Sequence, residues 1–189
     1  VVCSGSDDAI VLAADNGTLA APVRFPILAG EQGDSPRALF VGDVTQDGVP
    51  DIVTANTTSG DVAILRGLGP GVAFGAPEFL AVHDDETGFG QSPNDISVGD
   101  VNGDNIPDIT TVNSSGLDIA VLLGEGDGDF SAASHYAINR SILGGSLIKG
   151  DLADTNGDGD LDVIPLYSNG VAVLAGLGDG RLANPQTEF

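Results

Sequence analysis

Three acidic stretches decide the reading of this chain: Asp43-Val-Thr-Gln-Asp-Gly-Val-Pro-Asp51, Asp100-Val-Asn-Gly-Asp-Asn-Ile-Pro-Asp108 and Asp154-Thr-Asn-Gly-Asp-Gly-Asp-Leu-Asp162. Each runs directly into an apolar segment, and their first aspartates lie 57 and then 54 residues apart. A period of that length belongs to one supersecondary unit stacked on copies of itself, not to an enzyme core built around a single site.

The surroundings of the loops repeat as well. After each loop comes a short apolar run (Ile52 to Ala55, Ile109 to Val112, Val163 to Leu166), then a polar turn, then a second run (Val62 to Leu65, Ile119 to Leu122, Val171 to Leu174). A phrase beginning at Gly17, Gly71, Gly128 and Gly180 closes each unit, and a further apolar segment precedes each loop (Ala38 to Val41, Ile96 to Val98, Leu147 to Lys149). These runs are short, rich in Val, Ile and Leu, and bounded by Gly, Asn, Asp or Ser, so they predict strands and no long helix. Four strands per unit is the content of a propeller blade. The expected class is all-β, with four-stranded antiparallel blades at 37–85, 95–140 and 146–189 and a partial blade at 1–30. With 28 glycines for tight turns and no Trp or Met, the core has to be made of small β-branched residues, which suits closely stacked sheets.

Calcium explains the loop spacing. The ion takes six to eight oxygens, and a tight loop offers side chains at positions 1, 3, 5 and 9 and a backbone carbonyl at position 7. The candidate ligands are Asp43, Thr45, Asp47, Val49 (carbonyl) and Asp51 in the first loop, and Asp100, Asn102, Asp104, Ile106 (carbonyl) and Asp108 in the second. In the third they are Asp154, Asn156, Asp158, Asp160 (carbonyl) and Asp162, giving up to three Ca²⁺ in all. Thr45 and Gln46 make the first loop the poorest match. The third follows Gly150-Asp151 by what reads as a three-residue insertion, so Asp151 competes with Asp154 for the first position. An EF-hand is excluded, because its twelfth position needs Glu and here holds Thr54, Thr111 and Pro165.

Net charge is −22, with 28 acids against six bases, so no basic patch exists to neutralise phosphates, and nucleic acid and anionic membrane surfaces are excluded as partners. No run of 18 apolar residues is present to span a membrane. The lone Cys3 cannot form an internal disulfide, and metal is expected to take over the bracing role. Weak calcium loops suit millimolar external Ca²⁺, so the expected location is extracellular, at the cell surface or periplasmic. His83-Asp-Asp-Glu86 reads as a solvated connection. No nucleophile or base with an orienting partner is legible, so the chain is expected not to be an enzyme.

The run from Val98 to Ile109, followed by Val112-Asn-Ser-Ser-Gly116, Ile119-Ala-Val-Leu-Leu-Gly124 and Gly126-Asp-Gly-Asp-Phe130, resembles the FG-GAP or VCBS-type repeat, the blade unit of the integrin α-subunit propeller and of many bacterial secreted and surface proteins. The resemblance covers almost the whole chain. It implies a β-propeller with Ca²⁺ in the loop joining two strands of a blade, and a role in adhesion or recognition of a protein or glycan. Alternatives are a glycan-binding lectin and the propeller part of a polysaccharide-active enzyme. Because the first unit begins at the end of its second strand, the expectation is an incomplete arc of a larger propeller of about seven blades, completed by further chain or by other subunits.

Overall fold

A computed structural model describes residues 2–3, 8–11, 14–15, 18–19, 23–27, 33–69, 73–138, 145–183 and 187–188. Gly17, Gly71 and Arg140 lie outside these residues. Every regular element among them is a strand. The first sheet holds β1 (Val2–Cys3) and β2 (Asp8–Val11); a small hairpin of β3 (Ala14–Asp15) and β4 (Thr18–Leu19) follows, and β5 (Val23–Pro26) completes the order β1-β2-β5. The second is β6 (Pro36–Gly42), β7 (Asp51–Asn56), β8 (Asp61–Leu65) and β9 (Glu78–Ala81), paired in that order.

The third sheet repeats it with β10 (Pro93–Gly99), β11 (Asp108–Asn113) and β12 (Asp118–Leu122). The hairpin of β13 (Gly124–Gly126) and β14 (Asp129–Phe130) then leads to its outer strand β15 (Ser134–Ala137). The fourth is β16 (Leu147–Ala153), β17 (Asp162–Tyr167), β18 (Gly170–Val173) and β19 (Thr187–Glu188). All pairings are antiparallel. In the first sheet Cys3 pairs with Asp8 as Asn56 pairs with Asp61, so β1 stands where β7 stands in the next sheet.

The sheets stack face to face, and an apolar layer fills each gap. Ile27, Ile52, Ala63 and Leu65 form the layer between the first and second sheets, where Phe25 and Phe74 meet edge to face at 5.0 Å. Val53, Ala55, Val62 and Ile64 meet Ile109, Ala120 and Leu122 in the next gap. Val112, Ile119 and Val121 meet Val163, Tyr167, Ala172 and Leu174 in the last. A strand with a sheet on either side has no solvent face, which is why β7, β8, β11 and β12 are buried at every residue and show no polar–apolar alternation, their interiors being apolar or Thr.

The inner strands β6, β10 and β16 lie side by side and extend further than their apolar stretches suggested. β16 runs on to Ala153, which pairs with Asp162 as Gly42 pairs with Asp51 and Gly99 with Asp108. The third acidic loop therefore carries no insertion. Asp151 sits in mid-strand opposite Ile164, and its carboxylate accepts the Leu152 N–H at 2.9 Å, so Asp154 opens the loop. Gly150-Asp151 imitates Gly42-Asp43 by composition alone.

Candidate functional site

The three acidic loops have one backbone. Positive φ falls at the fourth and sixth positions of each: Gln46 and Gly48, Gly103 and Asn105, Gly157 and Gly159. Glycine adopts that conformation freely, and Asn tolerates it better than most residues. Gln46 holds it in the first loop while its Nε2 donates to the Asn105 carbonyl at 2.6 Å, tying that loop to the next blade.

Side chains organise each turn in the same way. The first aspartate accepts N–H groups from within its loop: Asp43 from Asp47 and Gly48, Asp100 from Gly103, Asp104 and Asn105, Asp154 from Gly157 and Gly159. The fifth-position carboxylate accepts the N–H two residues on, Asp47 from Val49 (2.7 Å), Asp104 from Ile106 (2.7 Å) and Asp158 from Asp160 (2.9 Å). At the third position, Asn102 and Asn156 donate their amides to Asp104 and Asp158 at 2.9 and 2.8 Å. Thr45 is buried there instead, and its Oγ1 is the one buried side-chain polar atom among the described residues that has no partner.

The ninth aspartate does something the spacing did not announce. Asp51, Asp108 and Asp162 are all fully buried, each clamping the loop entry to the turn that leaves the third strand of its sheet. Asp51 accepts the N–H groups of Val44, Thr45 and Gly67; Asp108 those of Val101 and Gly124; Asp162 those of Thr155 and Gly176 together with the Thr155 hydroxyl. Glycine is required at 67, 124 and 176, where a Cβ would strike the carbonyl oxygens of Pro50, Pro107 and Leu161. Burial pushes the Asp108 carboxyl above the usual range against its two N–H donors, with Asp104 and Asp100 adding repulsion. Burial acts on Asp162 too, but the Thr155 hydroxyl and the Gly176 and Thr155 N–H groups outweigh it and hold this carboxyl low.

No three His, Cys, Asp or Glu side chains among the described residues are gathered as a metal-holding group. The donor set nonetheless suits a hard cation: every loop presents carboxylates on one tight turn, none of them forms an ion pair with a base among the described residues, and the first loop adds the unpartnered Thr45 hydroxyl. The fifteen candidate ligands thus fall on three equivalent loops.

A second polar cluster lies at the opposite ends of β7 and β11. Thr54 donates to Asn56 and Asn56 to buried Asp61, which also accepts the Gly33 N–H; Thr111, Asn113 and Asp118 repeat the chain, with Gly90 as the backbone donor. His135 Nδ1 lies 2.8 Å from Asp118, and its ring stacks on Phe89. The recurrence of Thr-x-Asn was the available signal for this network. Tyr167 replaces the Asn in the fourth sheet and joins the apolar layer. Beside these turns a cleft of about 320 Å³ is lined by Thr57, Thr58, Ser59, His83, Asp85 and Gln91. His83 thus faces a polar cleft, while Asp84 accepts from Glu86, Thr87 and the Thr87 hydroxyl, which lower its carboxyl and shape the turn.

The FG-GAP-like repeat family matches residues 43–111 and again 100–164. No curated protein matches the chain. Among solved structures, an Agrocybe aegerita lectin described as specifically recognising non-reducing terminal N-acetylglucosamine is 23% identical with a TM-score of 0.63, the match covering 97% of this chain and 46% of the lectin. TcdB2-TccC3 without its hypervariable C-terminal region is 17% identical with a TM-score of 0.49, over 95% of this chain and 8% of that one. The chain therefore spans less than half the length of either, and the lectin likeness speaks to the fold.

Proposed function

Because the chain belongs to the FG-GAP-like repeat family, we propose that it is a Ca²⁺-stabilised, non-catalytic recognition scaffold that works outside the cytoplasm. One observation supports this reading above the others: three loops with the same positive-φ pattern carry carboxylates at positions 1, 5 and 9 and an amide or, in the first loop, a hydroxyl at position 3, with no ion pair to a base among the described residues. Asp43, Thr45, Asp47 and Asp51 would hold one ion, Asp100, Asn102, Asp104 and Asp108 a second, and Asp154, Asn156, Asp158 and Asp162 a third, with the carbonyls of Val49, Ile106 and Asp160 completing each set. A bound ion supplies positive charge to a turn whose carboxylates otherwise repel one another. The residues themselves do the structural work, the first and fifth aspartates fixing the turn and the ninth anchoring it to the sheet. Calorimetric titration with Ca²⁺ is expected to give up to three sites, and no heat above a buffer control would refute the reading.

Glycan recognition is the second reading, favoured by the hydroxyl-rich cleft beside His83 and by what the lectin neighbour binds. Its walls offer Thr and Ser hydroxyls, one carboxylate and one amide, groups that can donate to and accept from the hydroxyls of a sugar. N-acetylglucosamine is expected to bind the wild type and not His83→Ala; absence of binding to the wild type removes this reading and leaves the first untouched.

A further inference from the structure

Five of the six bases lie among the described residues, and three are engaged: Arg24 with Asp8, Arg66 with Glu78 and Arg181 with Asp179. The two without an ion pair, Arg37 and Lys149, line one cavity of about 450 Å³ where the first ends of β6, β10 and β16 converge. In a chain of net charge −22, two cations in one place with no ion pair among the described residues call for a reason.

The cavity is built by a repeated device. Each inner strand breaks register at its start, between Pro36 and Ala38, Pro93 and Asp95, and Leu147 and Lys149. Arg37, Asn94 and Ile148 are the extra residues of these three bulges, and all three line the cavity. A bulge re-aims a side chain and recurs beside functional sites for that reason. Among the described residues Asp95 is the one acid in the wall, and it is held there by the Gly150 N–H at 3.0 Å. The local balance is thus two cations against one carboxylate, which suits a monoanion, whereas a dianion would meet Asp95. Asn94, Ser146 and Asp95 provide hydrogen-bonding partners for hydroxyls, and Leu39 and Ile148 an apolar wall.

The acidic loops do not cancel this field. They follow the far ends of the same strands, and six residues of strand separate Arg37 from Asp43 by about 20 Å. That exceeds two Debye lengths at physiological salt, roughly 8 Å each.

We propose that this cavity at the first ends of the inner strands binds a small hydroxylated monocarboxylate, the chemistry of a sugar acid, with Arg37 and Lys149 on its carboxylate. This site is separate from the His83 cleft and independent of metal in the loops. The test is titration of the 189-residue chain with D-glucuronate, D-glucose and sulfate, in wild type and in Arg37→Gln, Lys149→Gln and Arg181→Gln. Both cavity positions are exposed strand residues, so the variants are expected to melt with the wild type. Saturable glucuronate binding, absent for glucose, weaker for sulfate, reduced about tenfold or more by either cavity variant and unchanged by Arg181→Gln is the expected result. Failure of glucuronate to saturate the wild type, equal binding by all three variants, or sulfate binding as tightly as glucuronate overturns the assignment.

Discussion

At the residue scale, one type of side chain, aspartate, meets different electrostatics at equivalent positions. Asp108 is held above the usual carboxyl range by burial, so the folded state binds its proton more readily than the unfolded chain. Ionised Asp108 is therefore a cost that grows as pH rises through the carboxyl range. Asp162 is held low, so its contribution is present at neutral pH and is lost as pH falls through its folded value. In metal-free buffer, Asp162→Asn is expected to cost about 2 kcal/mol at neutral pH and less in acid, while the cost of Asp108→Asn is larger in acid than at neutrality. Urea melts at both pH values check this, and parallel pH dependences for the two variants would contradict it. The candidate ligand ladder was legible because Asp and Asn recur at fixed intervals. The clamp made by Asp51, Asp108 and Asp162 was not, because spacing identifies a recurring carboxylate without saying which N–H groups occupy its oxygens.

The elements repeat so closely that their differences are informative. Leu166 and Val171 pair across the fourth sheet where Ala55 and Val62, and Val112 and Ile119, pair in the two before it. Val62 and Ile119 have no exposed surface, whereas Leu166 is 39% and Val171 36% exposed. Among the described residues, this face of the fourth sheet is apolar and partly exposed. Val171→Glu is expected to cost less than about 1 kcal/mol in this chain, and Ile119→Glu more than about 3 kcal/mol, because only the latter buries a charge. Thermal melts compare them, and equal destabilisation would mean that the face is covered. The core strands of the blades were readable from short β-branched runs between turn residues. The inner strands were underestimated, because their bulges and half-exposed residues dilute the apolar signal, and Gly150-Asp151 passed for a loop entry because composition does not reveal register.

For the molecule as a whole, four sheets stacked in sequence order give three apolar layers, and among the described residues no substantial contact joins the fourth sheet to the first. The arrangement places three acidic loops at one end of the inner strands and the paired cations Arg37 and Lys149 at the other. Repetition and fold class were visible in the sequence, whereas the cavity was not, since it depends on three strands that are far apart along the chain. Calcium is the central claim, and a thermal melt in Ca²⁺ and in EDTA tests it most directly, using the wild type, Asp104→Ala and the exposed control Asp85→Ala. The expected result is a midpoint several degrees higher in Ca²⁺ for the wild type and for Asp85→Ala, with a smaller rise for Asp104→Ala. A wild-type midpoint that is the same in Ca²⁺ and in EDTA would contradict the account.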